Sequence, residues 1–301
     1  MKDLIEEIKK LKKERKAVIL VHNYQPPEIQ DIADFLGDSL ELSRMASKTE
    51  AKVIVFCGVH FMAETASILC PDKKVLMPDI DSGCPMADMI TAEGLRELKL
   101  KYPKAIVVGY VNTPAEVKAE LDICCTSANA VSIISKLKDS DEIIFVPDKY
   151  LADYVSKKTG RRLIVWEGFC PIHVEILASD VTKQIRLHPQ AKVIVHPECT
   201  PEVISLADAA LSTSQMCRYV AGEKDSEFII GTEIGLLYKL QKDNPNKKFY
   251  AVTDSAICPD MKKITYEKIL WSLEELKDEV KIPEKIRIKA KRAIDKMLEI
   301  L

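Results

Sequence analysis

The chain repeats itself three times at a spacing of about 87 residues, and that period limits the fold more than any other feature. Ala17 to Tyr24, Ala105 to Asn112 and Lys192 to Glu198 are β-branched runs that end in polar groups, with steps of 88 and 87 from Val18 to Ile106 to Val193. Such runs read as buried parallel strands. Ser39, Ser127 and Ser214, each ahead of a helical pattern, repeat at 88 and 87. A second strand follows at Val53 to Cys57, Glu142 to Val146 and Glu227 to Gly231, and a third at Lys74 to Met77, Arg162 to Trp166 and Lys248 to Val252. Each unit closes on a cysteine, Cys84, Cys170 and Cys258, at steps of 86 and 88.

Helical patterns at Leu95 to Tyr102 and Val181 to His188 stop at Pro103 and Pro189, because proline cannot continue a helix. Strands alternating with helices predict an α/β fold: three pseudo-three-fold-related, three-layer α/β/α units with short parallel sheets around a central cavity. The expected units are 1–88, 89–172 and 173–260. Helices at 264–275 and 284–300, within a C-terminal segment 261–301, and the opening helix from Lys2 pack on this body. A length of 301 would by itself suggest about two domains.

Lys+Arg 44 against Asp+Glu 46 gives a net charge of -2, which excludes a nucleic-acid binder driven by bulk positive charge. No run of about 18 apolar residues is present, and Met1 to Lys16 is a mixed Lys/Glu amphipathic stretch, unlike a signal peptide. The expectation is a cytoplasmic protein that binds neither membrane nor nucleic acid. Nine cysteines without an export signal argue for thiols or metal ligands over a disulfide framework.

Ligands of open parallel α/β sheets bind beyond the carboxyl ends of the strands. Three units facing a common axis would aim His22, Asn23, Tyr24, Tyr110, Asn112, His196 and Glu198 at one cavity. Any one of them alone is more often a satisfied strand-end residue; their recurrence in three units favours a site. Ser39, Ser127 and Thr213 or Ser214 read as helix N-caps, and helix N-termini also attract carboxylate or phosphate. No Gly-x-x-x-x-Gly-Lys or Gly-x-Gly-x-x-Gly stretch supports an ordinary nucleotide site.

Cys84, Cys170 and Cys258 sit in loops and are each followed by proline, whereas Cys57, Cys70, Cys124, Cys125, Cys199 and Cys217 do not recur and read as small buried hydrophobes. Three thiolates brought together by the repeat make a soft metal site, for zinc with a fourth ligand such as His173, or for an iron-sulfur cluster. A [4Fe-4S] cluster on three cysteines leaves one iron free to bind substrate as a Lewis acid.

The segments His22-Asn-Tyr-Gln25, Asp31 to Ser39, Phe61-Met-Ala-Glu64, Tyr110-Val-Asn112, Thr126 to Ala130, His196-Pro-Glu-Cys199 and Gly231-Thr-Glu-Ile-Gly235, with the three spaced cysteines, closely resemble the short-form quinolinate synthase family. The resemblance spans residues 4 to 300. It implies condensation of iminoaspartate with dihydroxyacetone phosphate to quinolinate, with loss of phosphate and two waters, in de novo NAD biosynthesis. It also implies a [4Fe-4S] cluster on Cys84, Cys170 and Cys258 and functional coupling to an aspartate oxidase or dehydrogenase. Substrate-binding positions map onto His22, Ser39, Tyr110, Asn112, Ser127, His196, Glu198 and Thr213. Tyr24, His22, His196 and Glu198 are the expected acids and bases. His173 is expected in a supporting place and not as a ligand. Thr213-Ser-Gln-Met216 departs from the family, which often has glycine in the middle. A lid and movement of one unit against the other two are expected, because iminoaspartate hydrolyses readily. An iron-sulfur hydro-lyase acting on another dicarboxylate, and a non-enzymatic metal or redox sensor, draw on the same residues.

Overall fold

The computed structural model describes residues 2–138 and 142–299. The first sheet contains β1 (Ala17–His22), β2 (Phe35–Gly37), β3 (Val53–Cys57) and β4 (Lys74–Leu76). The second contains β5 (Ile106–Tyr110), β6 (Ile123–Cys125), β7 (Ile143–Val146) and β8 (Ile164–Val165). The third contains β9 (Lys192–Val195), β10 (Ala209–Ala210), β11 (Glu227–Gly231) and β12 (Lys248–Ala251). All neighbours are parallel, and each sheet has the same order: β2-β1-β3-β4, β6-β5-β7-β8 and β10-β9-β11-β12. The expected α/β architecture of three related units is therefore present, with one strand per unit more than the β-branched runs show. The added edge strands, β2, β6 and β10, are two or three residues long and carry no β-branched run.

Backbone contacts set the correspondence between units. Asp34 Oδ2 accepts the N–H of Ile19, Asp122 Oδ2 that of Val107 and Asp208 Oδ2 that of Val193, each at 2.8 Å and each 15 residues upstream. Each carboxylate pins the first strand to the loop entering the edge strand. The helix after each edge strand is closed at its C-terminus by a cation on its last carbonyls: Lys73 on Ala46 and Thr49, Arg161 on Leu137 and Lys138, Lys247 on Val220 and Glu223. Both sets repeat at 88 and 86. The step of 87 in the third unit is thereby corrected: Lys192, not Val193, answers to Val18 and Ile106, and Thr213, not Ser214, answers to Ser39 and Ser127.

The helices Ala92–Lys101 and Ala178–Leu187 stop two residues before Pro103 and Pro189, and the residues between them, Tyr102 and His188, have left the helical region, with ψ of 67° and 66°. The opening helix Lys2–Glu14 lies against Tyr266–Glu275 and buries Ile8 and Leu11 with Ile19, Val21, Ile269 and Leu273. The last helix runs Glu284–Glu299, and Ile300 falls outside the described residues. It buries Ala290, Ala293, Ile294 and Met297 against β6 and the helix His60–Leu69, joining the first two sheets.

One apolar core runs through the first and second sheets, including Ile54, Phe56, Val107, Val108, Phe145, Ile294 and Met297. The third sheet has its own two layers: Val193 and Val195 face one, Ile194 faces the other, as strand alternation requires. Polar contacts join it to the rest: Arg218 to Glu41 at 3.2 Å, Tyr238 to Asp31 at 2.7 Å, and Tyr154 to the Ala210 carbonyl at 3.1 Å. Among the described residues no helix is long and apolar enough to cross a membrane.

Removing the strand staple in the second unit, Asp122→Ala, leaves the Val107 amide without its partner. Stability is expected to fall by about 1–3 kcal/mol, seen as a lower urea midpoint with unchanged secondary structure; an unaltered midpoint would show that the repeated aspartates are dispensable.

Candidate active site

Of the residues singled out from the sequence, His22, Tyr24, Ser39, Tyr110, Asn112, Ser127, His196, Glu198, Thr213, Cys84, Cys170 and Cys258 line one cavity of about 220 Å³. The fold brings them together because the three first strands present their carboxyl ends to it. His22 and Tyr110 are the last residues of β1 and β5, and His196 directly follows β9. At the next-but-one position stand Tyr24, Asn112 and Glu198. Asn23, expected alongside them, instead turns aside and donates from Nδ2 to Thr213 Oγ1 at 3.0 Å.

The hydroxyls do not cap their helices, contrary to expectation. Asp38 is the N-cap of Ser39–Lys48, its Oδ1 accepting the Leu40 and Glu41 amides at 3.0 Å. Ser212 caps Thr213–Gly222 in a capping box with Gln215, which also defines the loop that departs from the family. Asn129 precedes Ala130–Lys136. A neighbour takes the cap position in the first and third units, so Ser39 and Thr213 enter the first helical turn, where both line the cavity.

Glu198 is the hub. It is 3% exposed, accepts from the Tyr110 hydroxyl through Oε1 at 2.6 Å and lies 2.8 Å from His173 Nδ1 through Oε2. His173 Nε2 is 2.9 Å from Thr232 Oγ1, which is 2.6 Å from the Tyr24 hydroxyl. An unbroken hydrogen-bonded path thus runs Tyr110, Glu198, His173, Thr232, Tyr24. Burial opposes the Glu198 charge, but His196, His173 and the Tyr110 hydroxyl outweigh it and hold the carboxyl below its usual range. Burial, then the Glu198 charge, pushes both tyrosines well above their ordinary value, so both are neutral phenols.

His22 and His196 form a matched pair. The Nδ1 of His22 accepts the Tyr24 amide at 3.2 Å and that of His196 accepts the Glu198 amide at 3.3 Å. Burial lowers both imidazoles to about 3, helped at His22 by Lys262. Each is therefore neutral with its proton on Nε2, a hydrogen-bond donor in the cavity wall.

The Cys-Pro repeat has a local cause. Each cysteine is the residue before a one-turn helix whose first position is proline: Pro85–Asp88, Pro171–Val174 and the 3-10 turn Pro259–Lys262. Proline suits that position because its missing N–H would have no partner there. No thiol caps its helix, and all three are free. Burial raises each thiol, Cys84 to about 12, and Cys84 and Cys170 are raised further by Glu198 and by neighbouring cysteines. Three converging thiols that resist ionisation alone become stable thiolates on a metal centre, so the donor set fits a soft metal group. Of the non-repeating cysteines, Cys57, Cys70, Cys124, Cys125 and Cys199 are buried as expected, while Cys217 is half-buried.

His173 holds a larger place than the sequence indicated. Its Nδ1 is 3.2 Å from Cys170 Sγ, and with Glu198 the three donor atoms lie within 4.8 Å of one another. Its ring stacks on His196 with centroids 4.6 Å apart. Sequence reasoning missed Thr232 altogether, although it follows the end of β11 in Gly231-Thr-Glu-Ile-Gly235. The carboxyl ends of β3 and β11 lead to cavity-lining residues, Val59 and Glu233, and that was the available signal.

The family model described as NadA: Quinolinate synthetase A protein matches residues 6–299. The chain is similar to the quinolinate synthase of Methanosarcina barkeri (strain Fusaro / DSM 804), 55% identical over 298 residues, 99% of this chain and 98% of that one. It is similar to that of Dehalococcoides mccartyi (strain CBDB1), 55% identical over 294 residues, 98% and 97% of the two chains. It is also similar to that of Thermodesulfovibrio yellowstonii, 56% identical over 298 residues, 99% and 98% of the two chains. With its three parallel sheets closing on one thiol-lined cavity, the chain belongs to the quinolinate synthetase A protein family.

Proposed function

We propose that the cavity condenses iminoaspartate with dihydroxyacetone phosphate to quinolinate, losing phosphate and two waters, as a transferase-type step of NAD biosynthesis. The observation that carries the reading is the convergence of strand-end residues from all three sheets on one cavity, joined by the Tyr110 to Tyr24 path. Full-length similarity to quinolinate synthases favours it over another hydro-lyase or a sensor.

Cys84, Cys170 and Cys258 hold a [4Fe-4S] cluster in this reading. When bound, such a cluster would supply Lewis acidity to the substrates in the cavity. The substrates together carry carboxylates and a phosphate, and the first turns that bear Ser39 and Thr213 offer N–H groups and hydroxyls to such anions. Ser127 adds a third hydroxyl beside Tyr110. The Nε2–H groups of neutral His22 and His196 donate to substrate oxygens, a binding role more than a basic one. Glu198, held ionised, accepts protons, and Tyr24 delivers them. Thr232 and His173 connect the two, so a proton taken at one end can be returned at the other.

The proposed units, 1–88, 89–172 and 173–260 with 261–301 packed on them, differ in how they are joined. The first two share one apolar core, whereas largely polar contacts hold the third. The third unit is the one expected to close on substrate and exclude water.

Incubation of anaerobically purified protein with iminoaspartate and dihydroxyacetone phosphate is expected to yield quinolinate, and absence of quinolinate with an intact cluster would overturn the assignment. Glu198→Gln and Tyr24→Phe are each expected to lower kcat by about 10²–10⁴ while keeping iron and sulfide; turnover at the parent rate would remove both from the proton path. Crystals with and without product should show the third sheet displaced against a superimposable first and second. Identical arrangements would contradict closure.

A further inference from the structure

Behind Cys258 the cavity wall contains an ion pair to which the reaction above gives no role. Glu233, 1% exposed, follows Thr232 after β11, and both its oxygens are engaged. Its Oε2 accepts the Gly235 amide at 2.8 Å. Its Oε1 accepts the Cys258 amide at 3.1 Å and lies 2.7 Å from Lys262 Nζ. That same ammonium donates to the backbone carbonyl of Tyr24. A carboxylate in so little water needs these donors, and charge-assisted bonds to a backbone amide are strong and directional.

The pair therefore touches the two ends of the chemistry at once. On one side it holds the amide of a metal-ligating cysteine; on the other, through Lys262, it holds the main chain of Tyr24, whose hydroxyl is already bound to Thr232. Gly235 shows how tightly the parts meet: a Cβ there would stand 2.7 Å from the Tyr24 carbonyl oxygen and 2.8 Å from Glu233 Oε2. Gln30 adds bonds from one amide nitrogen to the Gln25 carbonyl at 2.8 Å and the Gly235 carbonyl at 2.9 Å. First-unit residues 23–25, third-unit residues 232–235 and the turn 258–262 that leads into the C-terminal segment thus form one joint. A structural salt bridge needs only its two partners; this one places its bonds on a cluster cysteine and a proton-carrying tyrosine.

We propose that Glu233 and Lys262 are positioning residues, a buried ion pair that sets together where Cys258 presents its sulfur and where Tyr24 stands. The proposal rests on the reading that Cys258 holds the cluster and Tyr24 carries a proton. It assigns the two members different tasks: Glu233 acts on the cluster loop, and Lys262 transmits that position to the tyrosine.

The test uses anaerobically reconstituted holoenzyme. Glu233→Gln removes the charge and exchanges one acceptor oxygen for a donor, which faces either the Cys258 amide and Lys262 together or the Gly235 amide. Iron retained after a fixed chelator challenge is expected to fall roughly tenfold or more, the size typical when support for a metal ligand is removed. Lys262→Met leaves the Cys258 bond in place. Its iron content and absorption spectrum are expected to match the parent, while kcat falls about 10²-fold with little change in KM, as for a catalytic group displaced by an ångström. Lys262→Arg is expected to restore most of that loss. Parent-like iron retention in Glu233→Gln, or parent-like kcat in Lys262→Met, overturns the proposal. So does a kcat loss in Lys262→Met that tracks a lowered Tm and is not reversed by arginine, because a merely structural pair behaves that way. Cys258→Ser separates the two levels: if it keeps its iron, the cluster assignment itself fails, whereas iron loss there with a parent-like Glu233→Gln overturns the ion-pair role alone.

Discussion

A carboxylate shut away from water must be surrounded by donors, and the burial of Glu198 organises the centre of this molecule. No single sheet supplies its partners. The second sheet sends Tyr110 from the end of β5, His173 comes from the turn after Cys170, and Glu198 stands beyond β9 in the third. The ring of hydrogen bonds around it extends through Thr232 to Tyr24 beyond β1, so satisfying one charge ties all three units together. The same low exposure keeps both tyrosines protonated and both cavity-wall histidines neutral.

The repeat is symmetric where it builds and asymmetric where it reacts. Asp34, Asp122 and Asp208 staple equivalent strands at one distance, and Lys73, Arg161 and Lys247 close equivalent helices. Each unit also contributes one cysteine followed by a proline-led turn to the same cavity. The ring at the strand ends abandons it: His22, Tyr110 and His196 in one layer, Tyr24, Asn112 and Glu198 in the next. One scaffold thereby offers a donor, a phenol, an amide and a carboxylate to an unsymmetrical reaction. The joints are unequal: the first two units share one apolar core, while the third has apolar layers of its own and meets the rest partly through polar contacts.

Much of this was legible in the residues because strand burial and turn chemistry leave strong local marks. Val53–Cys57 is buried along its whole length and reads as a run of apolar residues. Cys-Pro recurs because a turn starts there in each unit. What escaped is what depends on partners distant in sequence. β10 is two alanines held by β9, and nothing in an Ala-Ala pair announces a strand. Asp38 and Ser212 displaced Ser39 and Thr213 as helix caps, because any small polar residue one place upstream serves equally well. His173 and Thr232 are 59 residues apart, and only the closed cavity shows that they share a bond. The third-unit step is 86 where sequence matching suggested 87, since matching β-branched residues does not sense which amide an aspartate binds.

The central claim is that one thiol from each unit meets at the cavity to hold a single metal group. Replacing each cysteine in turn by alanine, with iron and acid-labile sulfide measured on anaerobically prepared protein, tests it most directly. Both are expected to be lost in the variants of Cys84, Cys170 and Cys258 and retained in those of Cys57, Cys70, Cys124, Cys125, Cys199 and Cys217. Full iron in any one of the first three variants, with the parent sulfide content, would contradict it.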